Sequence, residues 1–425
     1  MSKAFNDMLY IFGSIAQGKS FKIDDIDDFE TVLKVAKKQS CFSVVLDALK
    51  ESKFDLSEET YKQMLEKSEK LFYFNFGRFI FMIEIFKRFE QNNIDYVCLK
   101  GYSVSNIYAN PFSRISGDID LLVKEDDEKK AIKILCEMGY TLASRRTEFS
   151  HHDRLIHKIW GELELHLKFF EDDVSNIWFA SEEGKLSIDR EPVLTQIDNY
   201  KFYTLKTNPQ LIFLFFHLAK HFVSGGLSIR AMMDVALHIK NYADQIDFEE
   251  FHSILKKSGM LTFYHAVLNF MIKYCNFSET DFPYYVETQD YLIQCMYDDL
   301  ESGGWIGTFK STNQMAMKFY AEHKRDSIKY EGQMTIEKNT FKDRLRILFP
   351  TIPHLSKKYS YLKKHKYLYP FVIVLRIFTF VFKKNNKSKI TDDSVAFEND
   401  MSRIQIFKSL GMLEKNFDYE MNDRK

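Results

Sequence analysis

Between residues 22 and 91 apolar side chains recur at the spacing of a helix face. Val32, Leu33, Val35 and Ala36 come first, then Phe72, Phe76, Phe79, Ile83 and Phe86 at steps of four, three, four and three. The pattern predicts an N-terminal helical region over residues 1–91, with the Phe-rich stripe as a core face. Its second helix is expected to start at Ser57, where Ser-Glu-Glu-Thr reads as an N-cap followed by first-turn acids, and to stop at Gln91-Asn92-Asn93.

From Ile94 the period changes. Asp95–Leu99 and Ile119–Val123 are short apolar runs that read as strands, separated by a helical segment ending near Tyr108. A helix is expected at Asp126–Met138, and Leu155–Lys158 and Glu162–Leu167 are two further strand candidates. Four strands with interleaved helices describe a small α/β core at 92–205. Helical spacing returns in Leu211–Val223, Ile229–Tyr242, Phe248–Lys257, Leu261–Tyr274 and Thr288–Leu300, a helical domain at 206–340. The expected fold class is α+β, a small mixed-sheet core flanked by N-terminal and C-terminal helical regions.

Composition adds three constraints. The 425 residues leave room for two or three domains, and 40 Phe, 23 Tyr and 3 Trp against 7 Pro suit long helices packed by large side chains. The five cysteines, Cys41, Cys98, Cys136, Cys275 and Cys295, are odd in number and far apart, so they read as reduced core thiols rather than a disulfide framework or a zinc site. No leader with a cleavage site and no apolar run long enough to span a bilayer is evident, so the expected location is the cytoplasm.

Charge changes the picture only locally. The chain sums to −1, but residues 342–389 hold 13 Lys or Arg against one acid, a net of +12 that leaves −13 for the rest. Within that basic C-terminal region (341–425, with a frayed tail from about residue 385) Tyr369–Phe382 is apolar except for Arg376, which favours a core role. The flanking lysine pairs leave peripheral contact with an anionic membrane open as the minor alternative, and a nucleic-acid contact less favoured still.

The candidate chemistry lies in residues 99–123, LKGYSVSNIYANPFSRISGDIDLLV. Asp118 and Asp120 are two apart on an expected strand, so both project from one face while Ile119 and Leu121 point into the core. Carboxylates held that close repel unless a cation intervenes, and hard oxygen ligands with room for water and phosphate describe a Mg²⁺ site. Gly101 allows close backbone approach before a helix N-terminus that would face phosphate, Lys100 adds a point charge, and Arg114 is placed to meet phosphate or the carboxylates. His217 and His221 share a helix face without the glutamate of a zinc protease motif. With Arg230 and Asp234 they read as a buried polar network positioning the helical domain. His166 is expected to line the site, and the pair His151-His152 to lie in a surface loop.

These motifs resemble the nucleotidyltransferase superfamily with the DNA polymerase β-type core. The likeness is closest to a poorly characterised bacterial nucleotidyltransferase family marked by a strand, L-K-G, a helix ending near a proline, and R-x-x-G-D-I-D-L-L-V. The likeness extends over most of residues 70–385. It implies two Mg²⁺ ions on Asp118, Asp120 and a third carboxylate from Gly161-Glu162-Leu163-Glu164-Leu165-His166, assigned to Glu164 with Glu162 on the same face as the alternative. It further implies nucleotide binding by Lys100, Gly101, Arg114 and Gly117, with Lys100-Gly101 replacing the usual Gly-Ser turn. The implied reaction is transfer of a nucleoside monophosphate from an NTP, ATP being expected, to a small molecule, saccharide, protein or RNA, with release of pyrophosphate. The alternative is a non-catalytic module that keeps the fold and binds nucleotide or a partner. Both glutamates facing away from the two aspartates, or a lysine plugging the cavity between them, would overturn the enzymatic reading.

Overall fold

The computed structural model describes residues 2–22, 26, 28–52, 54–146, 152–170, 190–302, 365–373 and 406–412. Ser57 caps the long helix as its sequence requires, its hydroxyl accepting from the Thr60 N–H at 3.1 Å, and the helix runs Glu58–Gln91. Four helices precede it, α1 Lys3–Gln17, α2 Phe29–Lys38, α3 Phe42–Leu46 and α4 Ala48–Glu51, so the long helix is α5. The sequence pattern does not predict the first of these. Ser2 caps it, and Gly13 lets it lie against the backbone of Cys275, where a Cβ would stand 2.0 Å from the carbonyl oxygen.

A seven-stranded mixed sheet follows. Its strands are β1 Tyr96–Cys98, β2 Asp118–Val123, β3 Tyr140–Ser144, β4 His152–His157, β5 Gly161–His166, β6 Pro192–Ile197 and β7 Tyr200–Leu205, in the order β3-β4-β5-β2-β1-β7-β6. Four of these match expected strands; β3, β6 and β7 do not. Helix α6, Glu128–Glu137, links β2 to β3. Strand β2 runs parallel to β5 and antiparallel to β1, and β1 runs parallel to β7. The α+β class stands, with a larger mixed sheet than the sequence suggests.

Alternation along the strands sorts the residues by face. Ile119, Leu121 and Val123 of β2 and Leu163 and Leu165 of β5 share a core with Phe79, Met82, Ile83, Phe86 and Phe89 of α5. Asp118, Asp120, Glu162, Glu164 and His166 take the opposite face. Helices α7 Thr207–Ser224, α8 Ile229–Tyr242, α9 Phe248–Ser258, α10 Leu261–Tyr274 and α11 Asp290–Glu301 follow, close to their expected bounds. The Gln210 amide of α7 donates to the Leu99 carbonyl at 2.6 Å, which ties that helix to the end of β1.

The five cysteines are free, as expected, but only Cys41, Cys98 and Cys275 are buried. Cys136 is exposed on α6 and Cys295 is intermediate, so not all are core thiols. Residues 365–373 belong to a separate unit, in which Val372 and Ile373 are buried against Leu368 and Tyr369. The remainder of the basic stretch 342–389 and the tail lie outside the described residues. Among the described residues no helix is long and apolar enough to cross a membrane.

Of the buried polar residues of α5, Asn75 and Arg78 hold the segment that leads into β2. Asn75 donates to the Phe112 carbonyl at 2.7 Å. The buried Arg78 guanidinium donates to the carbonyls of Ser116 at 2.5 Å, Gly117 at 3.3 Å and Glu162 at 3.2 Å. It thereby clamps the entries of β2 and β5 together. Replacing Arg78→Met strands these carbonyls and should lower the unfolding free energy by about 2–4 kcal/mol in urea titration; a loss near zero would show that the clamp is idle.

His238 on α8 is buried and donates from Nε2 to the Thr207 carbonyl at 2.9 Å. Burial lowers its pKa to about 4. The unfolded chain binds this proton from about pH 6.5 downward and the folded chain does not, so stability is complete above pH 6.5 and falls as pH drops toward 4. The contribution is about 1.4 kcal/mol per pH unit. Denaturation at pH 7 and pH 5 should show a drop that His238→Gln reduces, and an identical drop in that variant would contradict the assignment.

Candidate active site

The parallel pairing of β2 with β5 sets Asp120 opposite Glu164 and Asp118 opposite Glu162. Asp118, Asp120 and Glu164 each offer an oxygen within 4.8 Å of the others'. Glu162 is turned to Arg154, whose Nη2 donates to it at 2.7 Å. Of the two glutamates the sequence leaves open, Glu164 is therefore the one that meets the aspartates. At 4.8 Å and an effective dielectric of about 20, two such charges repel by about 3.5 kcal/mol, so the group requires positive charge.

Lys100 supplies part of it. Its Nζ lies 3.2 Å from Asp118 Oδ2, 3.3 Å from Asp120 Oδ1 and 3.1 Å from His217 Nε2. A lysine thus stands between the two aspartates, the arrangement expected to overturn the enzymatic reading if it plugs the cavity. It covers one oxygen of each, however, and Asp120 Oδ2 stays buried with no hydrogen-bond partner among the described residues. His166 supplies the rest, donating from Nε2 to Asp120 Oδ1 at 3.0 Å and lying 3.3 Å from Glu164 Oε2.

The titration directions follow from these contacts. Burial acts to raise the Asp118 carboxyl, but with Lys100 beside it the group sits at about 2. Burial raises Asp120, against the pull of Lys100 and with Asp118 adding to the rise. Glu164 is lowered: burial opposes this, and the His166 hydrogen bond and charge prevail. Burial would strip Lys100 of its proton, but Asp120, Asp118 and Glu164 outweigh it and keep the amine charged. Burial lowers both His217 and His221, the latter to about 3, with Lys100 adding to each, so both rings are neutral.

A cavity of about 220 Å³ opens over these groups, lined among others by Lys100, Asp118, Glu164, His166, His217 and Arg230. The donor set fits a hard divalent cation: three carboxylates, an orphaned buried oxygen, and an ammonium already standing in for positive charge.

Some expectations about this region are revised by the structure. Arg114, expected to meet phosphate or the carboxylates, lines the cavity, but its donors go to Asp234 and Gly101. It is buried, its Nε donates to Asp234 Oδ1 at 2.7 Å, its Nη2 donates to Asp234 Oδ2, and its Nη1 reaches the Gly101 carbonyl at 3.2 Å. The segment after Lys100 is also not an α-helix presenting free N–H groups. It is a buried 3-10 stretch, Gly101–Ile107, entered through a left-handed Gly101 at φ 76°. Gly117 has open space where a Cβ would stand.

Arg230 and Asp234 form the positioning network expected of them. Asp234 also accepts from Tyr108 Oη at 2.7 Å, and Arg230 donates to the Ile115 carbonyl at 2.6 Å, so α8 clamps the segment before β2. His217 and His221 also line the cavity, their Nε2 atoms 3.1 Å apart. His152, expected in a surface loop, is on β4 and lines the cavity too, while His151 lies outside the described residues. The alternation of His152, Arg154 and Ile156 is the available signal for that strand.

The two kinds of acid in this region should respond differently to removal. Asp234→Ala leaves a buried arginine without its partner and should cost about 3–5 kcal/mol of stability. Asp118→Asn gives up the favourable contact with Lys100, which Asp120 still holds, and should cost less, about 1–2 kcal/mol. Urea unfolding of both variants checks this, and equal losses would contradict the division.

No curated protein and no solved structure matches this chain. A family model does match, over residues 25–275, a span that contains the sheet, the carboxylates and the helices facing them. The chain belongs to the uncharacterised nucleotidyltransferase family.

Proposed function

We propose that the protein transfers a nucleoside monophosphate from an NTP, ATP being expected, to an acceptor hydroxyl with the help of Mg²⁺. The observation that carries this reading is the convergence of Asp118, Asp120 and Glu164 from two parallel strands, with Asp118 and Glu164 lining one cavity and Asp120 buried beside them. Two magnesium ions held there would lower the pKa of the attacking hydroxyl and neutralise charge on the leaving pyrophosphate. The acceptor oxygen bonds to the α-phosphorus, the bond to the pyrophosphate oxygen breaks, and the acceptor proton passes to Glu164, which faces the cavity.

Lys100 has a part in both states. Without metal its ammonium satisfies Asp118 and Asp120; with metal–nucleotide bound it leaves them and serves the phosphates as a flexible point charge. Lys220 and Arg230, on the helical wall of the cavity, supply further positive charge for a triphosphate. Gly117, with nothing within 4 Å of where a Cβ would stand, lets phosphate approach the backbone at the head of β2. Arg114 acts at one remove, holding the Gly101 carbonyl and thus the turn that carries Lys100.

One observation favours a second reading, a non-catalytic module: the Lys100 ammonium stands between the aspartates. Each α-labelled NTP should be incubated with Mg²⁺ and a cell extract as acceptor source. The transferase reading expects pyrophosphate release and a labelled product, both reduced at least about a thousandfold by Asp118→Ala plus Asp120→Ala. Nucleotide binding without release, unchanged in that double variant, would establish the module instead.

A further inference from the structure

His152, Glu164 and His166 form a second group whose ligating atoms all lie within 4.8 Å of one another. Glu164 presents Oε1 to His152 Nε2 at 3.5 Å and Oε2 to His166 Nε2 at 3.3 Å. The sheet builds this arrangement. His152 of β4 lies opposite His166 of β5, and Glu164 precedes His166 by two residues on the same face. The neighbouring Arg154 is drawn away to Glu162, and Lys100 is engaged at the other end of the carboxylate row, on Asp118 and Asp120. All three side chains line the cavity.

The donor chemistry differs from that of the aspartates. Mg²⁺ prefers oxygen ligands, whereas imidazole nitrogen suits zinc and its neighbours. Two imidazoles and one carboxylate are the protein ligands of a zinc site that keeps a coordination position open. We infer that His152, Glu164 and His166 hold a borderline divalent transition ion of the zinc class, at a site that shares Glu164 with the magnesium set and draws His166 Nε2 away from Asp120. Because all three ligands line the cavity, a hydroxyl or anionic oxygen of a substrate there would be the group to complete the coordination. Because Lys100 is engaged with the two aspartates, this site loads without displacing it and without nucleotide.

The test uses the full chain stripped of metal, with no nucleotide present. Co²⁺ is titrated by its visible absorption, and Zn²⁺ and Mg²⁺ are then used as competitors. The inference expects one Co²⁺ per chain, a spectrum that reports nitrogen ligation, displacement by Zn²⁺, and no displacement by excess Mg²⁺. His152→Ala, and His152→Gln which keeps bulk on β4, should each weaken Co²⁺ binding at least about tenfold. Asp118→Asn, which disables the proposed transfer, should leave Co²⁺ affinity within about threefold, so failure of the transferase reading and failure of this one are separable. Absence of Co²⁺ and Zn²⁺ binding, binding indifferent to both His152 variants, or binding lost in Asp118→Asn would each overturn the inference.

Discussion

Three carboxylates on one largely buried sheet face repel one another, and the surrounding structure is arranged to offset that repulsion. The parallel register of β2 and β5 makes the clash unavoidable, since it sets Asp120 directly beside Glu164. Lys100 answers it at one end of the row and His166 at the other. The face opposite is ordinary core, Ile119, Leu121, Leu163 and Leu165 against the aromatic stripe of α5. A purely structural sheet would have no reason to carry this cost on its second face, and Asp120 Oδ2 is still left without a partner among the described residues.

The repulsion is tolerable only because the backbone around it is held from two sides. From below, Arg78 of α5 binds carbonyls at the starts of both β2 and β5. From above, Asp234 and Arg230 of α8 grip Arg114, Tyr108 and the Ile115 carbonyl. Each clamp is a buried arginine whose donors go to main-chain oxygens or to a carboxylate, so the positions of Asp118 and Lys100 are set by rigid elements rather than by a free loop. The helices after the sheet therefore do more than cover it: they fix the segment that delivers the lysine and supply the wall facing the carboxylates.

The sequence is most legible where one period dominates. The Ser57 cap, the long α5, the helices from residue 207 onward and the alternation of D-I-D against apolar residues all express local rules, and each is realised closely. Legibility fails where tertiary context decides. β6 and β7 pair with each other and extend the sheet past β1, yet their polar, half-exposed alternation resembles loop sequence. Arg114 resembles a phosphate ligand because sequence spacing to Asp118 is short, while its actual partner, Asp234, is 120 residues away. His152 resembles loop because the apolar signal of its strand begins only at Leu155, three residues on. Lys100 reads as a neighbour of phosphate, but its bridging of both aspartates depends on the turn at Gly101, which no local pattern reveals.

On the proposed reading the carboxylate cluster takes up metal with nucleotide, and Lys100 keeps its place until then. A crystal structure with Mg²⁺ and a non-hydrolysable NTP tests it most directly. The expected result is metal density bound by Asp118, Asp120 and Glu164, with the Lys100 ammonium withdrawn from both aspartates onto phosphate oxygen. A nucleotide bound elsewhere, with Lys100 still bridging Asp118 and Asp120 and no metal between them, would contradict it.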